Sequence, residues 1–168
     1  MKSKTRKLAT LAMLVSVAMI LSYIESLIPP LVAVPGVKIG LANIATVFAL
    51  YTLGARGAVC VSLVRVALSA LLFGNAASFI FSLSGAILSL AVMIILTRVR
   101  LFSFVGVSVA GGVCHNAGQI LAAIFVMQNS AILSYLAPLT LSGTLAGVAV
   151  GAVAGVLVAR LSKHVKKD

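Results

Sequence analysis

The stretch LATLAMLVSVAMILSYIESLI, residues 8–28, decides the fold class of this chain. It carries one charged residue, Glu25, and it matches the roughly 20 apolar residues that a helix needs to cross the hydrocarbon core of a bilayer. A basic segment precedes it, as in a signal peptide, but the run is longer than a typical signal core and ends in Ile-Pro-Pro. It therefore predicts a retained first transmembrane helix.

Comparable apolar stretches follow along the whole chain, which is 62% hydrophobic and 9% charged, with a mean hydropathy of +1.24. Whole helical turns are apolar, whereas the strands of a membrane barrel alternate polar and apolar residues. We therefore predict an all-α, polytopic membrane protein with one transmembrane domain over residues 1–168, a six-transmembrane-helix bundle. The predicted helices span about residues 8–27, 41–53, 58–72, 76–96, 102–127 and 133–161. The last is longer than one span, and we expect it to bend at Pro138.

The net charge of +11 does not indicate nucleic-acid binding, because the basic residues lie at predicted helix ends and not along one face. With the N-terminus inside, eleven of the thirteen Lys and Arg residues face the cytoplasm, while Lys38 lies outside and Arg65 lies within a helix. Cytoplasmic loops of membrane proteins carry this excess of Lys and Arg. The pattern predicts cytoplasmic N- and C-termini and a multi-pass protein surrounded by the lipids of the bacterial cytoplasmic membrane.

Small residues recur at four-residue spacing on three of the predicted helices, including Gly106, Ala110, Cys114, Gly118 and Ala122 on helix 5. Helix 6 carries a glycine ridge, Gly143, Gly147, Gly151 and Gly155, and helix 1 has a weaker version near its cytoplasmic end, Ala12 and Ser16. Such residues let helix backbones approach closely, which matters where lipid provides no hydrophobic force between helices. Two interpretations stay open: these residues pack the bundle internally, or they dock a second membrane protein.

Polar side chains inside a membrane are costly and mark functional positions by default. Glu25 lies near the outer end of helix 1, Arg65 near the middle of helix 3, and His115 and Gln119 lie one turn apart in helix 5. We predict a cavity for a small molecule on the extracellular side, covered by the loop of residues 31–40. Its predicted lining is Glu25, Lys38, Asn43, Arg65, Asn75, His115, Asn116 and Gln119. Alternatively, Glu25 and Arg65 form an ion pair that orders the bundle.

Motifs for catalysis are missing from the sequence. It has no Gly-rich phosphate loop with Lys-Ser or Lys-Thr, no Asp-rich cluster to hold magnesium against a diphosphate, and no Cys/His spacing typical of a metal site. We therefore expect no enzymatic activity, no catalytic residues, no metal and no cofactor in this chain.

Several motifs resemble those of one family. They are Pro29-Pro30, Pro35-Gly36 and KIGLANI at 38–44, GARG at 54–57 followed by Arg65, LFGN at 72–75, FSLSG at 81–85 and HNAGQ at 115–119. Together they cover nearly the whole chain and are similar to the Gx transporter family, also called heptaprenyl diphosphate synthase component I. That family in turn resembles the substrate-binding S components of energy-coupling factor (ECF) transporters, which are small six-helix membrane proteins.

The resemblance implies a function and partners. An S component captures a vitamin or similar nutrient on the outer side and works with a transmembrane T component and two cytoplasmic ATPases, which use the ATP. Small residues of helix 1, here Ala12 and Ser16, would face the T component.

The older family name implies a different function, as a subunit of a prenyl diphosphate synthase. This chain contains two carboxylate side chains in total and so lacks the aspartate-rich magnesium sites of such synthases. The resemblance therefore supports transport more than synthesis. The alternative to transport is a membrane accessory subunit in isoprenoid or quinone synthesis, or in extracellular electron transfer.

Overall fold

A computed structural model of the 168-residue chain describes residues 2–28, 40–99 and 101–165, with the side chains of residues 4–28, 40–99 and 101–160. These residues form helices and no strand, which confirms the predicted all-α class. The α-helices are α1 (Lys2–Leu27), α2 (Asn43–Thr52), α3 (Gly54–Phe73), α4 (Ala76–Val99), α5 (Phe104–Met127) and α6 (Leu136–Val165). A short 3₁₀ helix, Ser130–Tyr135, precedes α6.

Five helical segments in the described part of the chain are long and apolar enough to cross a membrane. They are Lys4–Leu27, Gly54–Phe73, Ala76–Val99, Phe104–Met127 and Ser130–Arg160. The protein is therefore a multi-pass membrane protein. Helix α2 has 10 residues, so it rises about 15 Å and covers about half of the hydrocarbon thickness. The predicted six spans thus stay a prediction, because the residues that precede α2, 29–39, lie outside the described part of the chain.

Helix α2 lies inside the bundle. It contacts α1, α3 and α6. The other helix pairs in contact are α1 and α3, α3 and α4, α4 and α5, and α5 and α6. Six consecutive residues of α2, 45–50, are buried. A helix that is apolar on all sides belongs in a protein interior. The largest apolar core accordingly combines α2 with buried residues of every other α-helix, among them Ala18, Val61, Met93 and Val150.

The glycine ridge of α6 lies against α5. A Cβ atom placed on Gly147 would lie 2.6 Å from the Cα of Val109, and one placed on Gly151 would lie 2.7 Å from the Cα of Val105. At Gly143 the nearest α5 backbone atom is the carbonyl oxygen of Gly112, at 3.0 Å. Gly155 is looser, with its closest neighbour, Phe104, at 3.6 Å. The ridge is thus covered within the chain, and α5 and α6 touch backbone to backbone.

Two local predictions about helix bounds differ from the structure. Pro138 is the third residue of α6, where a missing N–H removes no intrahelical hydrogen bond, so the proline lies at the start of the helix and not at a bend within it. The predicted bounds of helices 2 and 3, 41–53 and 58–72, leave the sequence GARG at 54–57 as a connection between them. Instead Gly54 alone makes the junction with a φ of +79°, and α3 begins at that residue.

Candidate functional site

The N-terminal end of α2 is held by two buried charged side chains. The backbone N–H of Gly40 donates a hydrogen bond to Oε1 of Glu25, which lies near the end of α1. One turn further on, Nη2 of Arg65 on α3 donates to Oδ1 of Asn43, the first residue of α2, at 3.3 Å. Glu25 is 5% exposed and Arg65 is 3% exposed. Both charges are therefore inside the bundle and bonded to the start of the short helix.

Arg65 also connects these residues to α5. Its positive charge lies within electrostatic range of both Glu25 and the imidazole of His115. His115 is almost fully buried on α5. Four of the predicted site residues, Glu25, Asn43, Arg65 and His115, thus lie in one neighbourhood, although they come from four different helices.

His115 and Gln119 pack against α4 at Gly85, which has no side chain. A Cβ placed on Gly85 would lie 3.0 Å from Nδ1 of His115 and 3.0 Å from Cγ of Gln119. One placed on Gly118 would lie 2.9 Å from the Cα of Gly85, so the two backbones touch at this level. The two predicted side chains therefore share one face of α5, and that face meets Gly85.

Asn116 has a different environment from its neighbours on α5. Its Nδ2 donates to the backbone oxygen of Leu139 on α6 at 2.6 Å, beside the first glycine of the ridge. This bond ties α5 to α6 and fixes the orientation of the amide, because the nitrogen must point to the carbonyl. Asn116 is thus buried at a helix interface, adjacent to the other polar residues but turned toward α6.

Several buried polar atoms have no hydrogen-bond partner among the described residues. The clearest case is Gln119, which is 0% exposed and in which neither amide atom is paired. Others are Nε of Arg65 and Oδ1 of Asn116, together with three hydroxyls, those of Ser22, Thr46 and Ser89. Leaving a buried donor or acceptor unpaired costs about 1–3 kcal/mol, so such atoms are rare in folded proteins. Their concentration here indicates a site that takes a polar partner.

A small cavity lies beside this cluster, between α2, α4, α5 and α6. Its walls include Gly40 and Asn43 at the start of α2, Ser89 on α4 and Ser108 on α5. Its volume of about 10 Å³ admits roughly one water molecule. Among the described residues predicted to bind a ligand, Asn43 lines this cavity.

Of the eight residues predicted to line the cavity, Asn75 lies away from the buried cluster. Asn75 is exposed, and its Oδ1 accepts a hydrogen bond at 2.8 Å from the backbone N–H of Ser78. It therefore caps the start of α4 and lies outside the buried cluster. Lys38, with the rest of the predicted covering loop up to residue 39, lies outside the described residues.

The two small residues predicted on helix 1 are on the surface. Ala12 and Ser16 are both exposed, and the hydroxyl of Ser16 donates to the backbone oxygen of Ala12 at 3.0 Å. Unlike the glycine ridge of α6, they are thus accessible to a neighbouring protein.

Three buried hydroxyl residues were missed from the sequence, Ser22, Thr46 and Ser89. Serine and threonine in apolar helices usually bond a carbonyl of their own helix, as Thr52 does with Phe48, and so carry little information. Helical spacing could have indicated two of them, because residues three apart lie on the same face of a helix. Ser22 lies three residues before Glu25, and Thr46 lies three residues after Asn43.

No metal centre accompanies the cluster: the described residues contain no group of three or more His, Cys, Asp or Glu side chains that would hold a metal ion. The two cysteines of the sequence, Cys60 and Cys114, are free thiols.

Comparisons with known proteins give one match. A family model described as heptaprenyl diphosphate synthase component I matches residues 14–157, which include all six helices in whole or in large part. Searches of curated proteins and of solved structures found no match. Because the family model covers most of the chain, this multi-pass membrane protein belongs to the heptaprenyl diphosphate synthase component I family, also called the Gx transporter family.

Proposed function

We propose that the chain is the substrate-binding subunit, or S component, of an ECF-type ATP-driven importer in the bacterial cytoplasmic membrane. It captures a small, vitamin-like nutrient from the extracellular side. The chain itself is not an enzyme and carries no cofactor. A transmembrane T component and cytoplasmic ATPases are its partners, and the ATPases use the ATP.

The observation that carries this proposal is the buried polar cluster. Arg65, His115 and Gln119 come from two helices and are buried inside the bundle, and polar atoms of Arg65 and Gln119 have no hydrogen-bond partner among the described residues. Membrane proteins keep costly polar groups inside where a substrate or ion uses them. The short helix α2 adds support, because interrupted helices that start inside a membrane protein commonly border substrate sites.

The second support is the exposed surface of α1. Ala12 and Ser16 leave a shallow, small-residue area on a helix whose other exposed positions include large side chains such as Met13 and Ile20. A partner helix packs closely on such a surface. This is the position at which we place the T component.

Affinity purification from native membranes tests the proposal. The wild-type protein should retain a membrane protein and two cytoplasmic ATPases with phosphate-binding loops. Ala12→Leu should release them, because the added bulk separates the helices, and Ala152→Leu serves as the matched control, since Ala152 is an exposed alanine on α6. Purification of the wild type without any ATPase contradicts an importer subunit.

The description of the family favours a second candidate, a membrane accessory subunit in isoprenoid or quinone synthesis, or in extracellular electron transfer. The two candidates separate in a deletion strain. An accessory subunit of synthesis predicts a fall in prenyl quinone content with intact nutrient uptake, whereas an importer subunit predicts the loss of uptake of one nutrient.

A further inference from the structure

The amide of Gln119 is the most completely buried polar group with no protein partner in the described part of the chain. Its side chain is 0% exposed, and neither Oε1 nor Nε2 has a hydrogen-bond partner among the described residues. An amide that is unpaired at both atoms offers one acceptor and two donors to a molecule beside it.

The surroundings hold this amide in place. Its Cγ lies against Gly85 of α4, and the neighbouring Gly118 brings the backbones of α4 and α5 into contact. His115, one turn away, lies against the same glycine. Asn116 provides the contrast, because the Nδ2 atom of that amide is already bonded to Leu139 and serves the α5–α6 interface. Of the two buried amides, Gln119 is the one whose whole hydrogen-bonding edge is available.

The charged side chains nearest to this amide, Glu25 and Arg65, are opposite in sign. Glu25 is bonded to the amide of Gly40, Arg65 is bonded to Asn43, and the two charges interact. Apart from this pair, the described buried residues include no acidic or basic side chain other than His115. A ligand with its own net charge would need an uncompensated partner in a medium of low dielectric constant. The interior therefore favours a ligand recognised by hydrogen bonds.

We propose that Gln119 is a specificity-determining residue that binds an amide-type edge of an uncharged ligand, namely an adjacent N–H and C=O as in a lactam, an imide or a primary carboxamide. Oε1 of Gln119 accepts from the ligand N–H, and Nε2 donates to the ligand C=O. The assignment rests on the proposed function, since it names the substrate class of the same polar cluster. A site built to pair a donor and an acceptor rejects analogues that lack them.

Ligand-observed saturation-transfer NMR on the nanodisc-embedded protein tests this assignment with small probes. Uracil and nicotinamide carry the edge, whereas 1,3-dimethyluracil and N,N-diethylnicotinamide keep the rings and lose the N–H groups. Nicotinate adds a negative charge. We expect binding of the first two probes and about tenfold weaker binding of the alkylated ones, as for the loss of two hydrogen bonds.

The variant Gln119→Met keeps the length of the side chain and removes its amide, and it should weaken uracil and nicotinamide binding by the same factor. Gln128→Met is the matched control, because Gln128 is exposed at the end of α5 and should leave binding unchanged. The alkylated probes are measured on the wild type, so the test does not depend on the folding of a variant.

Equal binding of the alkylated probes, unchanged binding by Gln119→Met, or no binding of either amide probe would overturn the assignment. Binding of nicotinate alone would overturn it too, while the proposed function would stand, because a small molecule still occupies the site. The proposed function fails by a separate result, purification of the protein without ATPase partners.

Discussion

At the scale of single residues, the sequence identified the unusual side chains but not all of their partners. Glu25 and Arg65 are conspicuous because ionisable residues are rare inside membrane helices. That Glu25 binds the backbone of Gly40, and Arg65 the side chain of Asn43, followed only from the structure. These bonds are long-range in sequence, and no local pattern encodes them. The partner of Asn75, by contrast, is local: its side chain caps the start of α4, and the position of an asparagine directly after Gly74 is typical of such a cap.

The interaction between the two buried charges leads to a first prediction. Glu25→Gln keeps an acceptor for the amide of Gly40 but removes the negative charge, whereas Arg65→Met removes the positive charge and the hydrogen bond to Asn43. Each variant should destabilise the protein, and the double variant should lose less than the sum of the two. We expect a coupling energy of about 1–3 kcal/mol in a double-mutant cycle, measured by reversible unfolding in mixed micelles. Additive effects would show that the two charges act independently.

At the scale of elements, the lengths of the apolar stretches predicted the helices, and the residues at the ends of each stretch determine where the helix begins and ends. Helix α5 ends at Met127, where the predicted helix ends, because Gln128 adopts a left-handed conformation at φ +49°. Helix α1 begins at Lys2, before the apolar run, because Lys and Arg are good helix formers. That α2 is enclosed by other helices was not predictable, since an evenly apolar sequence does not distinguish lipid from protein surroundings.

The second prediction concerns helix packing. The glycines of α6 lie at different distances from α5, so replacing them by alanine should have different effects on stability. Gly147→Ala and Gly151→Ala place a methyl group within 2.6 and 2.7 Å of α5 backbone atoms, so these helices must separate. Gly155→Ala is the control, because its nearest neighbour lies at an ordinary 3.6 Å. Thermal unfolding in detergent should give clearly lower midpoints for the first two variants and an unchanged midpoint for the third. If all three variants unfold alike, close approach does not explain the ridge.

At the scale of the whole molecule, the open prediction is the sixth membrane crossing. Five described segments are long enough to span it, and an odd number of crossings would place the two basic termini on opposite sides. The distribution of Lys and Arg predicts an even number. We therefore expect α2, whose residues 45–50 are buried inside the bundle, to belong to the sixth crossing.

Cysteine labelling in intact cells checks this topology. Ser130→Cys and Arg98→Cys place exposed thiols beyond opposite ends of α5, in a background without Cys60 and Cys114. A membrane-impermeant maleimide should label the cysteine at position 130 and reach the one at position 98 only after the cells are opened. The reverse pattern would invert the orientation and place the polar cluster nearer the cytoplasm.

Native mass spectrometry of the purified protein shows directly whether the buried polar cluster binds a small molecule. We expect the wild-type protein and Gln128→Met to carry one small-molecule adduct per chain, and Gln119→Met to have lost it. A wild-type protein that carries no adduct, or the same lipid adducts in all three proteins, would contradict this expectation.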